Sequence, residues 1–210
     1  MNILTLPVGG YQANCYMVYD DAMNAFVIDP GAEPDRILRM IKQYGLRVQA
    51  VLLTHYHFDH IAAADAVLKA TGAPLYMTAQ DAAALSDPTS TMWAYARVDG
   101  PCPLKADRTF ADGDTFTVGE MTVEVLCTPG HTPGSCCYLV GDTMFSGDTL
   151  FLDSIGRVDF VGGNPRDMIL SLRKLAALPT NYTVYPGHGD ATTLDREKIH
   201  NPYMRRHGLC

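Results

Sequence analysis

Residues 54–60, THYHFDH, constrain the fold of this chain more than any other segment. They place three histidines and one aspartate within six positions, although the 210 residues contain only seven histidines. The segment follows the apolar run AVLL, which is typical of a buried strand, and precedes a helical pattern at 61–72. Polar side chains crowded at the end of a buried strand are costly without partners. The segment therefore predicts metal ligands where a central strand turns into a helix.

Three further ligand-type residues also follow predicted strands. His131 comes after VEVLC and a Thr-Pro-Gly turn, Asp148 after TMFSG, and His188 after YTVY and Pro-Gly. In α/β sheets, ligands and metals bind beyond the carboxyl ends of the strands. We therefore expect all three to lie beside the THYHFDH segment, and His200 and His207 to lie elsewhere.

The spacing within the segment predicts two metal positions. His55 and His57 are two residues apart, so an extended backbone directs both side chains to the same side. Asp59 and His60 stand at the bend into the helix and can face a second position nearby. Two of the later candidates would then complete three ligands at each position, with Asp148 as a bridging carboxylate.

The ligand types narrow the choice of metal. Imidazole and carboxylate without thiolate suit Zn²⁺, Fe or Mn²⁺ and do not indicate an iron–sulfur cluster. Three protein ligands and a bridge leave a position open for water, as in catalytic rather than structural sites. We therefore expect two divalent metal ions, with zinc favoured and iron or manganese as alternatives.

Outside the motifs, strand and helix patterns alternate. Strands are predicted within residues 2–8, 14–19, 25–31, 48–53, 74–78, 115–130, 135–148 and 182–189, and helices within 33–45, 61–72, 79–85, 165–178 and 195–204. Residues 86–108 carry several prolines and Trp93, the only tryptophan, without a clear period. We expect this connection to be either a lid with Trp93 over the metals or a packed surface loop.

Composition argues against several classes of function. The formal charge is −7 and no basic run exceeds Arg205-Arg206, which argues against a nucleic-acid partner. No apolar stretch reaches the roughly 20 residues of a membrane span, and the start does not resemble a signal peptide. The six cysteines form no C-x-x-C pair, so we expect free thiols in the cytoplasm, with a zinc–thiolate site as the alternative. Oligomeric state is left open.

Taken together, the motifs resemble those of the metallo-β-lactamase superfamily. THYHFDH is similar to its T-H-x-H-x-D-H signature, and PGHTPGS, FSGDTLF and YPGHG are similar to its later motifs, in order. The opening sequence NCYMVYDDAMNAFVIDPG resembles the family's first hairpin, so the likeness covers nearly the whole chain. It implies an α/β fold of the four-layer αββα sandwich type, in which two mixed sheets carry helices on their outer faces, and one domain over residues 1–210.

The resemblance also implies a role for each of seven residues: three ligands for each metal and one bridge. These are His55, His57 and His131, then Asp59, His60 and His188, then Asp148.

Short, single-domain glyoxalase II-like hydrolases (hydroxyacylglutathione hydrolase-like) are most similar, on the segments GRVDFVGGNPRDMILSLRKL and PGHGDATTLDREKIHNPY. Glyoxalase II hydrolyses the thioester S-D-lactoylglutathione. Only 210 − 188 = 22 residues follow His188, where the long form has a helical domain that contacts glutathione. The resemblance therefore implies an acyl-thioester substrate and leaves its thiol open.

The expected chemistry is thioester hydrolysis by a hydroxide that bridges the two metals and is oriented by Asp59. A thiol has a pKa of about 8.5, so the thiolate leaves without a strong general acid. Arg157 either binds a substrate carboxylate or forms a structural ion pair. Tyr203, Arg205 and Arg206 either line the cleft or belong to a solvated tail.

Other functions share the same fold. Persulfide dioxygenases carry a similar G-R-x-D-F segment, and the resemblance implies one iron held by two histidines and an aspartate. Lactonases and β-lactamases belong to the same superfamily, although the chain start does not favour a secreted β-lactamase. Nucleases of the superfamily usually have an extra domain or a basic surface. A protein that only binds metal is the non-catalytic alternative. Two complete ligand sets favour the binuclear hydrolase.

Overall fold

The computed structural model describes residues 1–97 and 99–206, which form an α/β fold. The strands are β1 (Asn2–Val8), β2 (Ala13–Tyr19), β3 (Asn24–Ile28), β4 (Arg47–Leu52), β5 (Leu75–Thr78), β6 (Arg108–Phe110), β7 (Thr115–Val118), β8 (Met121–Cys127), β9 (Cys136–Val140), β10 (Thr143–Gly147), β11 (Leu150–Phe151), β12 (Ser154–Ile155), β13 (Thr183–Pro186) and β14 (Thr192–Thr193). The helices are α1 (Pro34–Tyr44), α2 (Phe58–Ile61), α3 (Ala64–Thr71), α4 (Ala79–Ala84), α5 (Pro165–Ala176), α6 (Leu194–His200) and α7 (Pro202–Arg206), with a 3-10 helix at Trp93–Ala96. His207 and Cys210 lie outside the described residues.

Two six-stranded sheets form the centre of the molecule. The first has the order β1-β2-β3-β4-β5-β6, antiparallel from β1 to β3 and parallel from β3 to β6. The second has the order β14-β13-β10-β9-β8-β7, in which β10 and β13 are parallel and the other neighbours antiparallel. Both sheets are therefore mixed, and β11 and β12 form a separate short pair.

Three apolar cores stack these elements in layers. The central core joins the sheets, with Tyr16 of the first against Phe145 of the second. The outer face of the first sheet packs on α1 and α3 through residues such as Ile37 and Val67. The outer face of the second sheet packs on α5, where Leu172 is buried. Burial of one such side chain stabilises the folded state by about 1.5–3 kcal/mol. The predicted four-layer αββα sandwich is confirmed.

Hydrogen bonds join the two sheets at one end. Cys136 N donates to Thr54 O at 3.0 Å, and the Tyr138 hydroxyl donates to Leu53 O at 2.8 Å. Asn14 N donates to Gly187 O at 2.7 Å. Because these bonds lie where β4, β9 and β13 begin or end, they fix the strand ends of one sheet against those of the other.

The helix predicted at residues 61–72 is wrong in its continuity. The structure divides it into α2, which begins inside THYHFDH, and α3, with Ala62 and Ala63 between them. Ala63 N donates to Pro30 O at 3.0 Å, so the loop after β3 holds the chain at this break. Strands β6, β11, β12 and β14 were not predicted, because runs of two or three residues carry no readable period.

The described part of the chain contains no helix long and apolar enough to cross a bilayer. Its five cysteines are all free. Cys15, Cys136 and Cys137 are buried, and burial raises the pKa of the Cys137 thiol to about 12. These thiols are therefore packed as small apolar groups.

Candidate metal centre

The seven predicted ligands lie together at one edge of the molecule. They follow the ends of β4, β8, β10 and β13, as predicted from the sequence. His55 and His57 lie in the turn after β4, whereas Asp59 and His60 occupy the first turn of α2. The break between α2 and α3 thus leaves a single short turn of helix that carries two of the seven residues.

His55, His57 and His131 form one group, which we call the inner triad. One nitrogen from each lies within 4.8 Å of the others, and all three residues are buried. The closest pair is His57 Nδ1 and His131 Nε2, at 2.8 Å. The inner triad therefore has the spacing and the burial of a three-histidine metal position.

Asp59, His60 and His188 form a second group within the same 4.8 Å limit, the outer triad. His60 Nε2 lies 3.2 Å from His188 Nε2, and Asp59 Oδ2 lies 3.4 Å from the same His188 atom. The side chains of Asp59 and His188 are 17% and 27% exposed. The outer triad is therefore open to solvent.

Asp148 lies between the two triads. Its Oδ1 is 3.4 Å from His60 Nε2, and its Oδ2 is 3.4 Å from His131 Nε2. Oδ2 is also 3.7 Å from His188 Nε2, so Oδ1 faces the outer triad and Oδ2 lies between the two. This is the placement required of a bridging ligand.

The outer nitrogens of two histidines are held by backbone carbonyls, which set the ring orientation. His131 Nδ1 lies 2.7 Å from Arg157 O, and His188 Nδ1 lies 3.1 Å from Tyr11 O. Since a carbonyl only accepts, each Nδ1 is the protonated nitrogen, and Nε2 presents its lone pair to the cluster. Such partners orient the ligands of metal sites.

Asp29 performs this role for His60 and, through Thr54, for His55, and sequence reasoning missed it. Its Oδ2 lies 3.0 Å from His60 Nδ1 and accepts from the Thr54 hydroxyl at 2.6 Å. That hydroxyl is 3.0 Å from His55 Nδ1. The available signal was a carboxylate directly after β3, in the sequence IDPG.

Buried polar atoms without partners test whether the cluster suits a metal. Among the described residues, His55 Nε2, His57 Nε2 and Asp148 Oδ1 are buried without a hydrogen-bond partner. Leaving such an atom unpaired costs about 1–3 kcal/mol. The Nε2 of His55 and the Oδ1 of Asp148 belong to the clustered donor set, so a cation there would satisfy both. The donor set therefore fits a metal centre.

The two triads differ in charge preference. Burial lowers the pKa of His57 to about 3 and lowers the pKa of His55 well below its usual value. Burial also opposes charge on His60, but Asp148 and Asp59 outweigh it and raise the pKa of His60 to about 10. Neutral imidazole is therefore favoured at His55 and His57 of the inner triad, and this is the form that binds a metal.

Glycine backbone packs directly against the ligands. A Cβ on Gly31 would lie 1.5 Å from Asp59 O, and one on Gly187 would lie 2.1 Å from Asp148 Oδ1. Distances this short exclude any side chain at Gly31 and Gly187. We call these two positions the glycine contacts.

A second residue missed in the sequence, Asp81 of α4, supports the loop that carries His131. It accepts hydrogen bonds from the Thr132 hydroxyl at 2.7 Å and from Gly134 N at 2.6 Å. Burial raises the pKa of the Asp81 carboxyl to about 7. Asp81 therefore connects α4, which follows β5 of the first sheet, to the loop between β8 and β9 of the second sheet.

The side chains of the candidate substrate residues are not among the clustered donors. The Arg157 side chain is 64% exposed, pairs with Asp159 at 2.7 Å and lies over the Phe160 ring at 4.1 Å. It is the Arg157 carbonyl that contacts His131. Tyr203 is exposed on α7, and Arg205 lines a small pocket with residues 198–200. The structure thus favours an ion pair at Arg157 over a position in the cavity described next.

A cavity of about 620 Å³ opens beside the outer triad instead. Its lining includes Tyr11, Phe58, Asp59, Ala66, Trp93 and Tyr95. Trp93 is only 5% exposed, and Thr91 O accepts from Phe58 N at 2.9 Å. The connection after α4 is therefore packed onto α2 as a cavity wall, and Trp93 belongs to the apolar core rather than to a lid over the cluster.

Comparison with known proteins agrees with this geometry. A sequence profile of the metallo-beta-lactamase superfamily matches residues 8–188. The probable metallo-hydrolase YqgX of Bacillus subtilis is 37% identical over 207 residues, covering 97% of this chain and 98% of that protein. The hydroxyacylglutathione hydrolase GloC of Haemophilus influenzae is 34% identical over 211 residues, covering 97% and 98%.

Solved structures share the whole fold. BLEG-1, a B3 metallo-beta-lactamase, superposes with a TM-score of 0.88 at 36% identity, covering 97% of this chain and 99% of that one. TTHA1623 in a di-iron-bound form superposes with a TM-score of 0.85 at 35% identity, covering 95% of this chain and 99% of that one. ETHE1 from Myxococcus xanthus superposes with a TM-score of 0.79 at 34% identity, covering 96% of this chain and 84% of that one. From its profile match, its relatives and its ligand-bearing strand ends, the chain belongs to the metallo-beta-lactamase superfamily.

Proposed function

We propose that this protein is a binuclear metallohydrolase that cleaves acyl-thioesters in the manner of glyoxalase II. One observation carries the proposal: two complete triads lie side by side, and the carboxylate of Asp148 lies 3.4 Å from a histidine of each. The inner triad would hold one metal, the outer triad the second, and Asp148 would bridge them. The name of GloC supports a thioester substrate such as S-lactoylglutathione.

When bound, two divalent metals would supply an acidified water and a Lewis acid for the substrate carbonyl. Zinc suits these donors, and the di-iron form of TTHA1623 keeps iron as an alternative, with manganese a third. The buried free thiols suit a reducing compartment such as the cytoplasm.

The protein's own residues would position the reactants. Asp59, partly exposed beside the cavity, would accept a hydrogen bond from the attacking water and orient it. Asp29 would keep His60 and His55 aligned through their outer nitrogens. The leaving thiolate needs no strong acid, since a free thiol has a pKa of about 8.5.

Persulfide dioxygenase activity is the second candidate function. The likeness to ETHE1 and the segment Gly156 to Phe160, GRVDF, favour it. Such chemistry would use one iron, whereas the outer triad provides a full second set of donors. The hydrolase is therefore the better supported function.

A thioester panel tests the proposal. Protein loaded with zinc, iron or manganese is given S-lactoylglutathione and simpler acyl-thioesters, with a thiol-trapping dye to report cleavage. We expect thiol release and close to two metals per chain by plasma emission. One iron per chain, with oxygen uptake on glutathione persulfide and no thiol release from thioesters, would replace the hydrolase by the dioxygenase.

A further inference from the structure

The cavity beside the outer triad is continuous with the candidate reaction site. Asp59 belongs both to the triad and to the cavity lining. Tyr11, another lining residue, accepts from His188 through its carbonyl at 3.1 Å. A substrate held at the outer triad would therefore border this volume of about 620 Å³, which is within the usual size of a ligand pocket.

Four aromatic residues line one part of the cavity. The rings of Tyr11 and Phe58 meet edge to face at 5.2 Å, and Tyr95 lies 5.9 Å from Phe58. Trp93 completes this wall, and its one polar atom, Nε1, already donates to Gly100 O at 3.0 Å. These side chains offer apolar surface to a ligand.

The charged residues of the lining disfavour an anionic ligand. Besides Asp59 they comprise Glu33, Asp65 and Arg97, so three carboxylates face one arginine. Glu33 accepts from Gly9 N at 2.9 Å and Asp65 from Lys69 at 2.6 Å, so both are already engaged. An uncharged, apolar group fits this composition better than a thiol that carries carboxylate groups.

Small side chains keep the volume open. Ala62, Ala63 and Ala66 line the cavity where α2 breaks from α3. Ala66 is partly buried within α3, so a larger side chain there would occupy the cavity. The size of this one residue thus sets how much volume is available.

We propose that the cavity binds the acyl group of the substrate, that this group is apolar, and that Ala66 limits its length. The inference rests on the proposed thioester hydrolysis, because it assigns one of the two limbs of the thioester. Tyr95 would contact the acyl chain from the opposite wall.

Two thioesters of the neutral thiol N-acetylcysteamine test this assignment on zinc-loaded protein, one with an acetyl and one with a hexanoyl group. Ala66→Leu fills the cavity at little cost in helix propensity. We expect its ratio of kcat/KM for hexanoyl over acetyl to fall by about tenfold, since a few methylene groups in a pocket give 10–200-fold discrimination. Ala70→Leu makes the same change at an exposed position of α3 outside the lining and should leave the ratio unchanged. An unchanged ratio in Ala66→Leu would overturn the assignment.

Binding without turnover separates this inference from the proposed function. The thioether S-hexyl-N-acetylcysteamine cannot be hydrolysed, and Trp93, the only tryptophan, lines the cavity and reports its occupancy by fluorescence. We expect saturable binding that weakens about tenfold in both variants, because Ala66→Leu fills the volume that the hexyl group would occupy and Tyr95→Ala removes apolar contact. Tyr95 is 60% exposed, so its truncation keeps the fold if the leucine variant does not.

The outcomes are distinct. Thioether binding of this kind without cleavage of any thioester would remove the hydrolase function and leave an apolar ligand cavity. Thioester cleavage with no fluorescence change and no effect of either variant would remove the acyl pocket and leave the hydrolase.

Discussion

The inner and outer triads use similar donors in different surroundings. The inner triad consists of three buried histidines. The outer triad contains a carboxylate, opens to solvent through Asp59 and His188, and borders the cavity. Metal exchange and substrate access both require exposure. In the proposed function, we therefore expect the inner position to retain its metal more firmly and the outer position to meet the substrate.

The triads also differ in how the fold supports them. His57 and His131 come from different sheets, which are joined beside them by the bond from Cys136 N to Thr54 O. Asp59 and His60 share one short turn of helix, braced by Asp29. Both triads depend on the packing of the two sheets, because each takes its third residue, His131 or His188, from the second sheet. They differ in that the local pair of the outer triad lies in a turn of helix.

Removing one ligand from each triad should give the largest contrast. His55→Ala opens the inner triad, and we expect kcat/KM for a thioester to fall on the order of 10³-fold, as when transition-state charge loses its stabilising group. Metal content per chain should fall at both positions, because Asp148 would no longer bridge to a metal held by a complete inner triad. Activity and plasma emission, after circular dichroism has verified folding, measure both.

His188→Ala is the matched change in the outer triad and should leave close to one metal per chain. Equal metal content in the two variants would remove the distinction between the triads. Full activity in a folded His55→Ala protein would refute metal-assisted hydrolysis altogether.

Asp29→Asn should have an intermediate effect and tests whether the hydrogen bonds of Asp29 support metal binding by the histidines. The amide keeps the size of Asp29 but cannot accept at both oxygens from Thr54 and His60. We expect a loss of about 10–100-fold in metal affinity, measured by chelator competition, as for other partners of metal-bound histidines.

Asp20→Asn provides the matched control. Asp20 is also buried and accepts from Asn24 N at 2.8 Å, but at the end of β2 away from the triads. Its substitution should lower stability and leave metal affinity unchanged. If both variants lower metal affinity alike, Asp29 acts on the fold rather than on the histidines.

Arg157→Ala should have the smallest effect, because the backbone rather than the side chain of Arg157 holds His131. The exposed pair with Asp159 is worth about 0–1 kcal/mol. We expect KM to change less than about twofold for neutral and acidic thioesters alike. A KM raised for the acidic thioester alone would establish Arg157 as a substrate-binding residue.

The comparison of triads also explains what the sequence reveals. His55, His57, Asp59 and His60 stand in one segment after an apolar strand, so spacing alone predicts two positions. The later ligands are predictable because strands in a sheet end at a common edge. Asp29 obeys the same rule but stands in an Asp-Pro-Gly sequence, which is common in turns and carries little signal.

The cavity could not be predicted, because small side chains and an irregular wall create it. Ala62 and Ala66 fit an ordinary helix, and nothing in their pattern indicates that α2 and α3 separate between them. Trp93 has no periodic context, so its burial depends on tertiary contacts with α2. Sequence reasoning therefore predicted which ligand-type residues cluster, whereas its candidates for substrate binding, Arg157, Tyr203 and Arg205, are not among the residues that line this cavity.

The glycine contacts bear on how such a protein can diversify. At Gly31 and Gly187 no new side chain can be accommodated, so substitutions there would be eliminated together with the metal site. The cavity wall after α4 is an irregular connection, and connections of this kind tolerate substitution and changes of length. Heritable change would therefore concentrate in the wall, and descendants of this chain could acquire new substrates while keeping the same reaction.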